Sequence, residues 1–323
     1  MVSTMLRLPM SLLSPAGSRA RLSILIFHRV LPQADPLFPE TPTAQGFEQQ
    51  MRWVRSWFTV LPLRQAVTQL HAGTLPARAL AVTFDDGYAD NEAIAAPILR
   101  SLGMSATFFV STGFLEGGCM WNDRVIEAVR ACTASTLDMR DTGLGQWGLG
   151  SDAQRRQAIL GILGGIKRLE PERRSAVVDA VVRVTGNSPP PTLMMRPQQV
   201  RDLRALGMDI GAHTVTHPIL SRLGADAARA EIARSKSDLE IILGEPVPLF
   251  AYPNGAPGQD YTAAHAAMVR ECGFEAAVST AWGAATRRSD RYQLPRFTPW
   301  DRSALRYGVR LLHNLTRTEQ LAA

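Results

Sequence analysis

Short apolar segments alternate with longer amphipathic segments along most of this chain, and no other feature restricts its possible folds as strongly. Each short segment is rich in Ile, Val, Phe or Ala and is mostly apolar, which is typical of a strand covered on both faces. The predicted strands are Leu22–His28, Leu80–Phe84, Ala106–Val110, Met208–Ala212, Leu249–Tyr252 and Glu275–Ser279. The alternation predicts an α/β protein.

Helical patterns occupy most of the intervals between these strands. The predicted helices are Gly46–Phe58, Leu63–Ala72, Asn91–Leu102, Gln198–Leu206, Ala225–Leu243 and Asp260–Glu271. Repeated strand–helix units form either a closed barrel or an open doubly wound sheet, and periodicity does not distinguish the two. A length of 323 residues suits one barrel-sized domain.

The segment 114–196 interrupts the alternation, because it contains helical patterns and no convincing strand. These patterns are Asp123–Ala131, Ala153–Leu169 and Glu172–Val184. We predict that the segment is a helical insertion in a domain that spans residues 22–323. Residues 1–21 then form an N-terminal extension.

The composition, 46% hydrophobic and 20% charged, is that of an ordinary soluble globular protein. The net charge of +6 comes almost entirely from arginine, since Lys167 and Lys236 are the only lysines. The arginines are scattered among acidic residues, and no nucleic-acid-binding module is recognisable. We therefore expect no nucleic-acid partner. The sequence predicts no particular oligomeric state.

Cys119, Cys132 and Cys272 are an odd number of cysteines without a CxxC pair, so neither a disulfide framework nor a thiolate zinc site is expected. The N-terminal apolar run is interrupted by Arg7 and Pro9 and is too short for a secretory signal. These features predict a reducing, cytoplasmic location. A peripheral membrane contact through the apolar, arginine-flanked first 22 residues is the alternative.

Two adjacent carboxylates, Asp85 and Asp86, follow the strand Leu80–Phe84 and precede Gly87. Ligands of α/β proteins bind at the carboxyl ends of strands. Neighbouring residues of a strand point to opposite faces, but a glycine lets the chain turn and bring both carboxylates into one pocket. The simpler interpretation is a turn in which Asp86 caps the next helix.

Two histidines, His213 and His217, follow the strand Met208–Ala212, and imidazoles at this spacing can bind one metal ion. Solvated or hydrogen-bonded loop histidines are the alternative. Combined with the acidic pair, the histidines and Asp86 form a two-histidine, one-carboxylate ligand set, and Asp85 remains free as a base. Metal-assisted hydrolysis needs these groups, because the ion lowers the pKa of water and a neighbouring carboxylate accepts the proton.

Four segments together resemble the polysaccharide deacetylases of carbohydrate esterase family 4, which share a nodulation-factor-deacetylase homology domain. The segments are Thr83–Tyr88, His213–His217, Glu231–Gly244 and Phe250–Gly255. The resemblance covers most of Leu22–Trp300. It implies a distorted (β/α) barrel with about seven strands. It also implies hydrolysis of N-acetyl groups from amino sugars in a saccharide chain.

Carried over position by position, the resemblance makes Asp85 the catalytic base and makes Asp86, His213 and His217 the ligands of a divalent metal, with zinc the leading candidate. The usual third motif of the family has an arginine where Ala251 stands here. In the family that arginine orients the catalytic aspartate, so here the role is vacant or is filled from elsewhere.

Arg296, in Leu294-Pro295-Arg296-Phe297, is our candidate for the missing arginine, because it ends another predicted strand on the same barrel face. A surface arginine is the alternative. Asn254 takes the place of the family's usual aromatic residue after Pro253. A backbone N–H at Asn254 is still expected to stabilise the oxyanion, although the apolar wall is altered.

A general-acid histidine lies near the C-terminus in the common family pattern, but here His313 falls in the helical pattern Ala304–Leu315. His28 is the better candidate, since the run Ile24–Val30 resembles the N-terminal strand of a permuted branch that handles bacterial exopolysaccharides and carries its acid histidine there. The first and last strands of a closed barrel are neighbours, so this permutation keeps the histidine's position in space. A structural histidine is the alternative.

Tyr88 and Trp121 are the further candidates for the sugar site, because aromatic faces often line such sites. The alternatives are core packing of Tyr88 and helix capping by Asn122 at the start of the insertion.

The expected function is metal-dependent removal of N-acetyl groups from N-acetylhexosamine units of a saccharide or exopolysaccharide precursor. One alternative is an O-deacetylase or other deacylase on the same fold. The other is a catalytically decayed saccharide-binding protein, which the missing arginine at Ala251 motivates.

Overall fold

The computed structural model describes residues 2–187, 190, 192–298, 300–317 and 320–322. The chain divides into two compact units. The first unit comprises Met1–Pro32, Pro42–Leu115 and Met195–Ala323, and the second comprises Gln33–Thr41 and Glu116–Met194.

Strands and helices alternate through most of the first unit. In chain order the strands are β1 (Leu22–Phe27), β2 (Thr59–Val60), β3 (Ala79–Phe84), β4 (Thr107–Val110), β5 (Thr136–Asp138), β6 (Gln146–Gly148), β7 (Asp209–Ala212), β8 (Leu249–Ala251) and β9 (Ala276–Val278). The helices are α1 (Val2–Leu13), α2 (Ala44–Trp57), α3 (Leu63–Ala72), α4 (Ala96–Ser101), α5 (Trp121–Ala131), α6 (Asp152–Ile166), α7 (Pro171–Thr185), α8 (Pro197–Ala205), α9 (Ala225–Leu243), α10 (Ala263–Glu271) and α11 (Ala304–Thr316).

The first unit is built on a seven-stranded parallel sheet with the order β1-β3-β4-β7-β8-β9, and β2 pairs with the beginning of β3. A later segment joins the two edges of this sheet. Leu294 forms a parallel bridge to Val278 of β9, and Phe297 forms one to Leu25 of β1. The sheet therefore curls into a distorted (β/α) barrel, which confirms the predicted fold class.

The two faces of the barrel strands have different packing. Phe27, Phe84 and Phe108 are cross-strand neighbours whose rings stack at 5.5 Å and 4.8 Å, and they pack with Phe47 of α2 in the larger core cluster. Because successive strand residues face opposite sides, Thr83 faces away from this aromatic ladder. The residues that follow the strands therefore start from a rigid, fully buried platform.

The six strands predicted from the alternation are present. The further strand predicted to end at Arg296 is wrong, because Leu294 and Phe297 form only isolated bridges and Pro295 between them has no N–H to donate.

The other differences lie in short elements and helix ends. β2 escaped prediction because a two-residue strand carries no periodic signal. The predicted helix Asn91–Leu102 begins with a π-helical turn at Asn91–Ala95 and continues as α4. The predicted helix Asp260–Glu271 starts three residues late, because Thr262 and His265 form a capping box.

The second unit contains α5, α6 and α7, whose apolar faces share a core that includes Ile159, Ile162, Val178 and Val181. It also contains an antiparallel hairpin, in which β5 pairs with β6. The prediction of an insertion without strands was wrong on this point, because two three-residue strands are too short to show an apolar run.

The N-terminal helix α1 packs on α2 and α11 of the same unit. Leu6 and Met10 are buried in its core, while Leu8 and Leu12 are exposed. Helices α1 and α11 are in close contact at Gly308 of α11, because a Cβ added there would lie 2.3 Å from Cδ1 of Leu6. Among the described residues, no helix combines the length and apolar content needed to cross a membrane.

Candidate active site

The acidic pair lies where β3 ends beside β1. The backbone N–H of Asp85 donates to the carbonyl of Phe27 at 2.9 Å, which continues the strand pairing for one more residue. At Asp86 the backbone turns into the left-handed region, with φ of 80°, and Gly87 follows with φ of 90°. Aspartate tolerates this conformation better than most residues. Asp86 does not cap the following helix, which begins at Asn91.

His213 follows β7 and is buried. Its Nδ1 lies 2.7 Å from the carbonyl oxygen of Ala251, and this oxygen can only accept a hydrogen bond. Nδ1 therefore donates, so in its neutral form the ring presents an unprotonated Nε2 on its other side. The position at which the sequence lacks the motif arginine thus orients the first histidine through its backbone.

His217 reaches the same point through a strained loop. Thr214 and His217 have positive φ values of 63° and 55°. The loop is held by Glu231 of α9, whose carboxylate accepts hydrogen bonds from the N–H groups of Val215 and Thr216 at 2.8 and 2.9 Å. The hydroxyl of Thr214 accepts from the N–H of His217 at 3.2 Å. These bonds offset the cost of the unusual backbone.

Asp86, His213 and His217 bring their donor atoms to one point. The Nε2 atoms of His213 and His217 lie 3.4 and 3.3 Å from Oδ1 of Asp86. One ligand atom from each residue lies within 4.8 Å of the others. Two imidazoles and a carboxylate are the donor set of a catalytic zinc or similar divalent ion, which leaves further positions open. The three residues fit such an ion.

The local charges favour a cation at this point. Burial alone would raise the pKa of Asp86, but its interactions with the adjacent His213 and His217 side chains outweigh burial, and the pKa is lowered. Burial lowers the pKa of His217 to about 4, so its ring is neutral at pH 7. Burial would also lower the pKa of His213, but Asp85 and Asp86 outweigh it and raise the pKa.

Arg296 meets Asp85 inside the barrel. Its Nη1 and Nη2 donate to Oδ1 and Oδ2 of Asp85 at 2.6 and 2.7 Å, and its side chain is fully buried. Nε donates to the carbonyl of Ser279 at 2.9 Å, and Nη1 also donates to Oγ1 of Thr83 at 3.2 Å. Burial would raise the pKa of Asp85, but the charge of Arg296 outweighs it and holds the pKa low. The arginine is therefore not a surface residue.

His28 follows β1 and has an exposed side chain. It lies near enough to Asp85, Asp86 and His217 that a positive charge on its ring would lower the pKa of all three. Its backbone carbonyl accepts a hydrogen bond from the side-chain amide of Asn91 at 2.8 Å. The histidine is thus held at the carboxyl end of the barrel with its ring open to solvent.

Two of the predicted substrate residues, Asn254 and Tyr88, belong to the first unit. Asn254 has φ of 60°, and its carbonyl accepts from the hydroxyl of Thr280 at 2.8 Å. Tyr88 is buried, with the guanidinium carbon of Arg29 at 4.7 Å from its ring centroid.

Trp121 lies in the second unit, where it is the first residue of α5. The guanidinium carbon of Arg174 is 4.9 Å from its ring centroid. Met120 precedes α5 as its N-cap residue, so the capping role considered for Asn122 is wrong. The sugar-site role of Trp121 stays a prediction.

Three contributors to the site escaped sequence analysis. Glu231 acts on backbone N–H groups, and Thr83 and Thr214 act through hydroxyls. Hydroxyl and carboxylate partners of a loop backbone leave no spacing pattern in a single sequence. The one available signal for Glu231 was its position at the start of the motif helix Glu231–Gly244.

A closed parallel barrel with a two-histidine, one-aspartate centre beside a second aspartate defines a hydrolase of the polysaccharide deacetylase type. The sequence model of the family described as polysaccharide deacetylase matches residues 72–277, so this chain belongs to that family. The matched segment includes Asp85, Asp86, His213 and His217, whereas His28 and Arg296 lie outside it.

Individual relatives agree with this assignment. The Bacillus subtilis (strain 168) protein YxkH, whose name places it among the polysaccharide deacetylases, is 32% identical over 93 residues. The match covers 28% of this chain and 32% of that protein, so it spans less than half of the relative's length.

Solved structures share the fold. The Streptococcus pyogenes deacetylase PplD in complex with acetate gives a TM-score of 0.58 at 19% identity, covering 86% of this chain and 92% of that one. IcaB from Ammonifex degensii gives 0.56 at 18% identity, covering 91% of this chain and 98% of that one.

Proposed function

We propose that this protein is a metal-dependent deacetylase that removes N-acetyl groups from N-acetylhexosamine units of a saccharide or exopolysaccharide precursor. The observation that carries the proposal is the convergence of Asp86, His213 and His217 beside the buried Asp85–Arg296 pair. Membership of the polysaccharide deacetylase family supports the deacetylase chemistry.

The metal centre consists of Asp86, His213 and His217, and zinc is the proposed ion because two imidazoles and one carboxylate suit it. When bound, a divalent ion supplies Lewis acidity to the acyl carbonyl and lowers the pKa of water. The chain itself contributes the orientation of the ligands. Ala251 fixes His213 through its carbonyl, and Glu231 fixes the loop that carries His217.

Asp85 is the proposed base. Its Oδ2 lies 3.9 Å from Nε2 of His213, so a water molecule near the metal ligands is within its reach. Arg296 keeps the carboxylate ionised and holds it in one orientation through two parallel hydrogen bonds. A base that is both charged and immobile is ready to accept the proton of the attacking water.

His28 is the proposed acid, and Asn254 the proposed oxyanion donor. An amine is a poor leaving group until it is protonated, so the reaction needs a proton donor on the open side of the site. The ring of His28 is exposed and is the proposed proton donor for this step. The backbone N–H of Asn254 would stabilise the oxyanion as charge develops on it.

We further propose a cytoplasmic location. It is supported by three cysteines that are all free, as expected of a reducing compartment.

The decisive test is acetate release from N-acetylated oligosaccharides by the zinc-loaded protein. We expect release from N-acetylglucosamine oligomers, its loss when a chelator removes the metal, and its return when zinc is restored. A matched series of O-acetylated oligosaccharides separates N- from O-deacetylation. Binding of oligosaccharides by a folded, zinc-loaded protein that releases no acetate from either series would indicate a saccharide-binding protein instead.

A further inference from the structure

A cavity of about 530 Å³ opens where the chain leaves β8 and β9. Its described wall consists of the Ala256-Pro257 turn, Thr280, Ala281, Trp282, Arg317 and Gln320. This volume lies within the range of about 300–1,000 Å³ that small-molecule sites occupy. The cavity is distinct from the three metal ligands, none of which lines it.

Two backbone links connect the cavity wall to the proposed reaction centre. The N–H of Thr280 donates to the carbonyl of Gly255 at 2.9 Å, so the wall and the Asn254 turn are one piece of structure. The N–H of Arg296 donates to the carbonyl of Ala281 at 2.9 Å. The cavity wall is therefore hydrogen-bonded to the segments that carry Asn254 and Arg296.

The wall combines an aromatic ring, polar side chains and one charge. Among the described lining residues, Arg317 is the only charged one, and none is acidic. Its guanidinium carbon lies 4.7 Å from the ring centroid of Trp282. Stacking of this kind uses the flat face of the guanidinium and leaves its N–H edge to pair with an anion.

Trp282 is itself held in place while remaining 40% exposed. Its ring meets Phe297 edge-on, with centroids 5.5 Å apart and planes at 80°. Phe297 belongs to the segment that closes the barrel. Arg317 therefore rests on a ring that is anchored to the barrel, which reduces the entropy lost when it binds a ligand.

We propose that this cavity is a saccharide subsite for an anionic group, a carboxylate or a phosphate, carried by the sugar unit next to the one that is deacetylated. The proposal rests on the proposed function, because it places the anionic unit on the same saccharide chain. Arg317 pairs with the anion, and Thr280 and Gln320 supply hydrogen-bonding groups for sugar hydroxyls.

The test compares binding of three tetrasaccharide probes to the zinc-stripped full chain, which does not consume them. The probes are neutral tetra-N-acetylchitotetraose, here called chitotetraose, its 1-phosphate and a hyaluronan tetrasaccharide, which carries glucuronate carboxylates. Arg317→Gln is compared with Arg306→Gln, which removes an equal charge from an exposed position of α11. Calorimetry gives the affinities, and acetate release is measured separately on zinc-loaded protein.

We expect at least one anionic probe to bind wild type about tenfold more tightly than chitotetraose, with the preference lost in Arg317→Gln and kept in Arg306→Gln. The probe that shows the preference identifies carboxylate or phosphate as the recognised group. Equal binding of all three probes, or a preference that survives Arg317→Gln, would overturn the subsite. Failure of zinc-loaded wild type to release acetate would count against the proposed function, and the binding comparison would still decide on the subsite.

Discussion

Arg296 and Asp85 are 211 residues apart in the chain, yet they form two parallel hydrogen bonds of 2.6 and 2.7 Å in the interior of the barrel. Both side chains are almost completely shielded from water. A charge in such a place is tolerated only when it is paired and hydrogen-bonded. The pair therefore links the position of the proposed base to the stability of the barrel.

Removing one partner of the pair is expected to destabilise the protein strongly. Arg296→Met leaves the carboxylate of Asp85 buried without its counter-charge, and we expect the free energy of unfolding to fall by about 3–5 kcal/mol. The double variant Asp85→Asn/Arg296→Met should lose less than the sum of the two single losses, because no charge is left unpaired. Urea denaturation of the four proteins measures this coupling, and strictly additive losses would contradict it.

The same pair predicts a dependence of stability on pH. Arg296 holds the pKa of Asp85 below its ordinary value of 3.8. A carboxyl group with a depressed pKa stabilises the folded state above its unfolded pKa, and this stabilisation is lost as the pH falls through the folded pKa. Without metal, we expect the stability advantage of wild type over the Asp85→Asn/Arg296→Met double variant to shrink between about pH 5 and about pH 2.

Unfolding measured in the presence of a chelator at several pH values checks this expectation. Asp86 and both histidines are present in both proteins, so their titration largely cancels in the difference. A stability difference that stays constant over this pH range would show that Asp85 does not titrate as the pair requires.

Loss of one proposed metal ligand is expected to lower metal affinity without unfolding the barrel. His217→Ala removes one of three donors, and we expect zinc affinity to fall by about 100-fold or more. Competition with a chromophoric chelator measures the affinity, and elemental analysis measures the stoichiometry. His313→Ala is the matched control, because His313 is an exposed histidine of α11. Unchanged affinity in His217→Ala would remove this residue from the ligand set.

Glu231 is expected to affect the affinity for the metal although it is not one of the three proposed ligands. Its carboxylate accepts two backbone N–H bonds from the loop before His217 and a third bond from the hydroxyl of Thr216 at 2.7 Å. Glu231→Gln replaces one carboxylate oxygen by an NH2 group, which cannot accept a hydrogen bond, and removes the charge. Because the loop that carries His217 is then held less firmly, we expect about a tenfold loss of zinc affinity. Asp226→Asn, an exposed change on the same helix, should leave the affinity unchanged.

Thermal unfolding of the metal-free Glu231→Gln protein distinguishes a local effect from a global one. If zinc affinity is unchanged while the melting temperature falls, Glu231 supports the fold rather than the metal loop.

His28 is expected to matter only when the leaving group needs a proton. For an N-acetylated oligosaccharide, His28→Gln should lower kcat by about 10²–10⁴-fold. For p-nitrophenyl acetate, whose phenolate leaves without protonation, we expect kcat to change by less than about threefold. Equal losses on both substrates would argue that His28 is not the acid.

The outline of the barrel and most of its centre could be predicted from the sequence because the main strands lie in short, mostly apolar segments. Asp85, Asp86 and His213 each come directly after such a segment, so their convergence at one end of the barrel follows from parallel pairing. The hairpin β5–β6 and the short strand β2 could not be predicted, since two or three residues show no period.

The supporting contacts were harder to predict for a different reason. The hydrogen bond from His213 is accepted by the backbone carbonyl of Ala251, so the type of residue at that position does not indicate it. Arg296 could be named as a candidate from its strand-like surroundings, but its contact with Asp85 depends on how the barrel closes. Closure is a long-range property that local patterns do not contain.

The segment that carries Arg296 is also the seam of the barrel, since Leu294 joins it to β9 and Phe297 joins it to β1. A growing polypeptide therefore contains both aspartates and both imidazoles well before the guanidinium that pairs with Asp85 has been synthesised. As long as the barrel is open at this seam, Asp85 lacks its counter-charge, so closure of the barrel and pairing of the proposed base are one event.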